Sequence, residues 1–153
     1  CSLGKAKPWQ PWVCGAMTSS TAIFWPVLTQ VLLTYVVYVV MSSRRIGAVK
    51  AGNARPSDFK VPSIEPEPSA TAARNLTNQF ELPVLFFAAC LSLFVTGGAG
   101  MAAVIVAWAF VLARAAHAWI HLTTNRIRPR RMLFIVGLAI NLVQWLLLAF
   151  HIA

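Results

Sequence analysis

The chain has 153 residues, 58% of them hydrophobic and only 11% charged, where a soluble domain carries about a quarter charged residues, so most of its surface must meet lipid. A spanning helix takes about 20 residues, which leaves room for four helices with short connections and not for a fifth. The formal charge of +9, from 13 Lys and Arg against 4 Asp and Glu, points in so apolar a chain to loops that set topology and touch anionic headgroups, not to nucleic acid.

Residues 1–16, rich in Trp, Pro and Lys, read as a non-native or extramembrane extension ahead of a natural start at Met17, and residues 17–153 as the transmembrane domain. Segment 22–41 is free of charge and long enough to cross a hydrocarbon core of about 30 Å at 1.5 Å per residue. This predicts the first helix. Residues 42–72 bring Arg44, Arg45, Lys50, Arg55 and Lys60 together with Pro56, Pro62, Pro66 and Pro68, the composition of an aqueous loop. A second helix is predicted over 72–95, apolar from Leu82 onward and polar before it. Thr96-Gly97-Gly98-Ala99-Gly100 is an uncharged turn. The third helix, 101–123, is interrupted only by Arg114, His117 and His121. A short loop then carries Arg126, Arg128, Arg130 and Arg131, and a fourth helix over 132–152 holds Asn141, Gln144 and His151 as its polar residues.

The predicted fold is all-α, an integral membrane four-helix bundle. The loops after the first and third helices carry five and four Lys/Arg and the loop after the second carries none, which places both basic loops in the cytoplasm. Cys1, Cys14 and Cys90 have no metal or disulfide spacing, and no metal site is expected.

Charge inside a spanning helix costs a few kcal/mol or more, so such residues should face the bundle interior or a wet cavity. Arg74, Asn78 and Glu81 lie at i, i+4 and i+7, and Arg114, His117 and His121 at i, i+3 and i+7, each set within about 60° on one helical face. By the helical rise Glu81 stands about 10 Å inward of Arg74, and His121, His117 and Arg114 about 8, 14 and 18 Å inward of Arg126, so the two stripes overlap in depth. Guanidinium forks suit carboxylates, Glu81 an ammonium and Asn78 a peptide group, which together describe an anionic, zwitterionic ligand entering from the cytoplasm. A purely structural alternative pairs Glu81 with Arg114 and leaves the histidines as interhelical hydrogen-bond donors.

Arg74, Asn78 and Glu81, followed by Pro83 and Phe86, resemble the second-helix signature of the MAPEG family, the membrane-associated proteins in eicosanoid and glutathione metabolism. Arg114, His117, His121, Arg126 and Arg130 resemble the family's third-helix series, and Arg44 with the 53–58 stretch resembles its first loop, over roughly residues 18–152. The resemblance implies a homotrimer that binds glutathione in its thiol form between neighbouring subunits near the cytoplasmic side. Arg74, Asn78, Glu81, Arg114, His117 and Arg126 match glutathione-binding positions, and Arg130 matches the arginine placed near the thiol. There its charge would lower a thiol pKa of about 8.5 and favour the nucleophilic thiolate.

Two positions depart from the family pattern. His121 stands where many members carry a tyrosine, and Arg131 where the prostaglandin-forming branch carries a serine, which argues against prostaglandin isomerisation and leaves transferase or peroxidase chemistry, with His121 as a hydrogen-bond donor. The expected protein is a bacterial-type, inner-membrane glutathione transferase or peroxidase. Its substrates would be lipophilic electrophiles or lipid hydroperoxides that arrive through the bilayer. The alternative is a non-catalytic MAPEG-like protein that binds lipid or a partner protein. A proton or ion pathway would need a polar lane across the whole membrane, and residues 101–113 are apolar.

Overall fold

The computed structural model describes residues 20–60 and 65–153; the expected extension over residues 1–16 and the start at Met17 lie outside them. Five helices follow one another: α1 Phe24–Lys50, α2 Glu67–Gln79, α3 Leu82–Val95, α4 Met101–Leu122 and α5 Ile127–Ile152, with 3₁₀ turns at Thr21–Ile23 and Pro56–Lys60. Taken as spans, Thr21–Lys50, Glu67–Val95, Met101–Leu122 and Ile127–Ile152 are each long and apolar enough to cross a membrane. The chain is an integral membrane four-helix bundle.

α1 runs to Lys50, well past the end expected at residue 41, because nothing between Ser42 and Lys50 breaks a helix. It stops at Gly52, whose φ of 73° suits glycine, with the Asn53 amide donating back to Ala48 O at 2.9 Å. The charges that made this stretch read as loop are absorbed locally. Arg44 donates to Leu122 O at 2.6 Å and to Pro68 O at 2.9 Å, satisfying a carbonyl at the negative end of α4. Arg45 donates to both Glu65 oxygens at 2.7 and 3.0 Å and lies 5.3 Å from the Phe59 ring centroid. α2 likewise starts earlier than expected, at Glu67, with Pro68 tolerated in its first turn.

The second span is two helices and not one. Pro83 has no amide hydrogen, and in a continuous helix its ring would meet the carbonyl of Gln79. The chain breaks at Phe80 and Glu81, where Glu81 takes φ −90° and ψ −92° ahead of α3. Asn78 O, which an unbroken helix would have paired with the amide of residue 82, is thereby freed. Asn78 and Glu81 consequently do not share the regular helical face read from the sequence.

The apolar core fills the half of the bundle beyond this break. Phe86 and Phe110 stack at 4.4 Å and 10°, Phe24 meets Phe94 edge-on at 4.7 Å, and Ile23, Cys90, Leu93 and Ala107 are fully buried around them. At the far end the Gly97–Gly98 turn lies against α5. A Cβ on Gly98 would stand 2.7 Å from a His151 ring carbon, and His151 Nε2 donates to Thr96 O at 3.0 Å. Large apolar side chains such as Trp25, Leu112, Trp119 and Phe150 point outward, as a lipid-facing surface requires.

Candidate functional site

α4 turns its three polar residues inward together. Arg114 is 0% exposed, and His117 and His121 are each 2% exposed, because the i, i+3, i+7 spacing places them on the face that packs against α2 and α5. Arg114 Nη2 donates to Asn78 O at 2.8 Å, so the carbonyl released by the Pro83 break becomes the arginine's partner. Its Nε and Nη1 have no hydrogen-bond partner among the described residues. Gly137 on α5 lies beside the side chain, where an added Cβ would stand 3.7 Å from Arg114 Cδ, an ordinary contact.

Toward the basic end, His117 lies 5.8 Å from His121 and 6.1 Å from Phe134, measured between ring centroids. Arg130 Nη1 stands 3.4 Å from His121 Nε2. A guanidinium can only donate, so Nε2 is the acceptor and the His121 ring proton belongs on Nδ1. That Nδ1 is buried without a partner, as is His117 Nδ1. Asn78, His117, Arg130, Arg131, Ile127 and Phe134 surround a cavity of about 240 Å³. A second cavity of about 680 Å³, lined by Arg45, Lys60, Glu65, Arg74 and Asn125 among others, opens between the first loop and α2.

The structure thus gathers Asn78, Arg114, His117, His121 and Arg130 into one region. Arg74 lies in the wall of the larger cavity, and Arg74, Glu81 and Arg126 are exposed on a single chain. Glu81 does not pair with Arg114; among the described residues the one ion pair is Arg45–Glu65. Glu81 is near enough to act on Arg114 through space but makes no contact ion pair with it.

The family model of MAPEG matches residues 22–150. The chain belongs to the MAPEG family. No curated protein and no solved structure matches it. MAPEG proteins are in general membrane proteins of glutathione-related transferase, peroxidase or allied function, and the family generally uses glutathione as a substrate.

Reading charge alone misses the neutral polar residues that this MAPEG protein buries. Gln30 Nε2 donates to Gln79 Oε1 at 2.9 Å, Gln79 Nε2 to Asn75 Oδ1 at 3.2 Å, and Asn75 Nδ2 to Ala118 O at 3.2 Å, tying α1, α2 and α4 together. Gln144 Nε2 donates to Cys90 Sγ at 3.0 Å beside the buried Asn141. Asn75 and Gln79 stand one residue along from Arg74 and Asn78 with the same i, i+4 spacing, so the signal was present.

Proposed function

We propose that this protein is a glutathione-dependent transferase or peroxidase of the membrane, acting as a homotrimer on lipophilic electrophiles or lipid hydroperoxides. The observation that carries this reading is Arg114: a guanidinium wholly removed from solvent, with two nitrogens unpartnered and no carboxylate bound to it. Buried charge is too costly to leave uncompensated, and an incoming ligand carboxylate supplies the missing partner. The unpartnered Nδ1 atoms of His117 and His121 and the cavity at Asn78 and Arg130 fit the polar remainder of a tripeptide.

In this reading Arg74, Asn78, Glu81, Arg114, His117 and Arg126 hold glutathione, and the exposed members of that set face a neighbouring subunit. Bound there, glutathione supplies a thiolate nucleophile. Arg130 stabilises negative charge at the sulfur, and His121 orients through its Nδ1–H. The apolar outer faces admit the second substrate from the bilayer.

Calorimetric titration of the detergent-purified protein with glutathione tests the reading. Saturable binding is expected, and its absence leaves the non-catalytic alternative standing. The basic loops are assigned to the cytoplasm. Cysteines placed at Ser57 and Gly100, with Cys1 and Cys14 replaced, should label from opposite sides; labelling from one side sinks that topology. Gly100 is the better probe than Gly98, since a side chain there meets nothing within 4 Å whereas one on Gly98 collides with His151.

A further inference from the structure

The turn between α4 and α5 contains the one non-glycine residue among those described with positive φ, Asn125 at 46°. Asparagine tolerates this left-handed conformation better than other side chains, but glycine adopts it with no steric penalty. The Asn125 amide donates to Ile120 O at 2.8 Å and closes α4, so its side chain projects from a fixed point. Oδ1 accepts from Arg130 Nη1 at 2.6 Å, the same nitrogen that stands 3.4 Å from His121 Nε2. Asn125 lines the larger cavity and Arg130 the smaller, so their hydrogen bond lies between the two.

We propose that Asn125 is a positioning residue, which fixes the Arg130 guanidinium at the mouth of the small cavity while leaving its charge unopposed. An arginine side chain has several rotatable bonds and loses much freedom when held. Asn125 holds it with a neutral acceptor. A carboxylate would hold it equally well but cancel the charge that a thiolate needs. The ion pair of the described residues, Arg45–Glu65, lies elsewhere, so Arg130 keeps its charge for a ligand. The inference rests on the glutathione reading above and adds a residue to it. A mere helix-ending role for Asn125 would be filled by glycine without loss, which makes the two roles separable.

The test compares wild type, Asn125→Gly and Asn125→Asp for assembly, thermal midpoint, glutathione affinity by calorimetry, and thiolate formation by ultraviolet absorbance of bound glutathione between about pH 6 and 9. Asn125→Gly should assemble normally and bind glutathione within about twofold of wild type, with the midpoint of thiolate formation raised by about one pH unit or more. Asn125→Asp should raise that midpoint as well, because its carboxylate offsets Arg130. A wild-type midpoint in Asn125→Gly overturns the inference and leaves the glutathione reading intact. If Asn125→Gly does not assemble, an unshifted midpoint in Asn125→Asp overturns it equally. Wild-type protein that binds no glutathione overturns the proposed function and this inference with it.

Discussion

Gln30, Gln79 and Asn75 on α1 and α2, and Arg114, His117 and His121 on α4, are buried to nearly the same degree, yet they are satisfied very differently. The amide set passes hydrogen bonds from α1 through α2 to a carbonyl of α4 and leaves over a single acceptor, Gln30 Oε1. The α4 set leaves over Arg114 Nε and Nη1 and both histidine Nδ1 atoms. Native proteins pair nearly all buried polar atoms, and of this set His117 also lines the smaller cavity. The first set joins helices; in the function proposed above, the second takes the ligand.

Replacing Arg114 breaks this contrast most directly. Two charge-assisted hydrogen bonds of roughly 1.5–3 kcal/mol each predict that Arg114→Ala weakens glutathione binding by about 100-fold or more while the oligomer still assembles. Unfolding with residual binding unchanged would assign Arg114 to the structural set. Asn75→Ala is the converse: it removes two bonds of the amide set and should lower stability by about 1–2 kcal/mol, with glutathione affinity held within about threefold. Titration and denaturation on the same two variants should therefore give opposite patterns.

A smaller effect is expected at His121. His121→Tyr replaces a buried, neutral imidazole whose Nε2 faces Arg130 Nη1 at 3.4 Å by a phenol, a weaker acceptor that stays neutral to about pH 10. Thiolate formation by bound glutathione should persist, with its midpoint moved by about half a pH unit or less as Arg130 is held less firmly. An unchanged midpoint would mean that His121 takes no part in holding Arg130. The smallest effect belongs to a polar pair already satisfied. Arg45 donating to Glu65 holds the Glu65 carboxyl below its ordinary range. Its stabilisation is therefore complete above the unfolded value of about 4.3 and disappears as pH falls through the lower folded value. With the Arg45 side chain 31% exposed, the pair contributes about 1 kcal/mol or less. Glu65→Gln should melt at most about 3 °C below wild type at pH 7, and the two curves should converge as pH falls below the lowered folded value.

Four spans were legible because long runs without charge leave a chain few alternatives in lipid, and the inward face of α4 was legible because charge there cannot face hydrocarbon. The boundaries were less so. Arg44 and Arg45 suggested water, yet both are absorbed by carbonyls and a carboxylate contributed from residues 65, 68 and 122, partners that a linear reading cannot place. Pro83 was visible, but its consequence falls at Phe80 and Glu81, where no breaker stands. Gln30 was hidden inside an uncharged run, because an amide that finds its partners across three helices carries no charge to betray it. Asn125 gave no sign until its backbone was seen to be left-handed.

The break before Pro83 also bears on how the second span crosses the membrane. α3 has 14 residues and at 1.5 Å each reaches about 21 Å, short of a hydrocarbon core of about 30 Å. The missing depth is made up by the last turns of α2, which present Asn78 and an open carbonyl. That carbonyl finds its donor only on α4, some 36 positions later in the chain. The second span therefore carries, by itself, a carbonyl that hydrocarbon cannot satisfy. Its packing against α4 removes that cost, so the two spans are coupled through one hydrogen bond that neither could make alone.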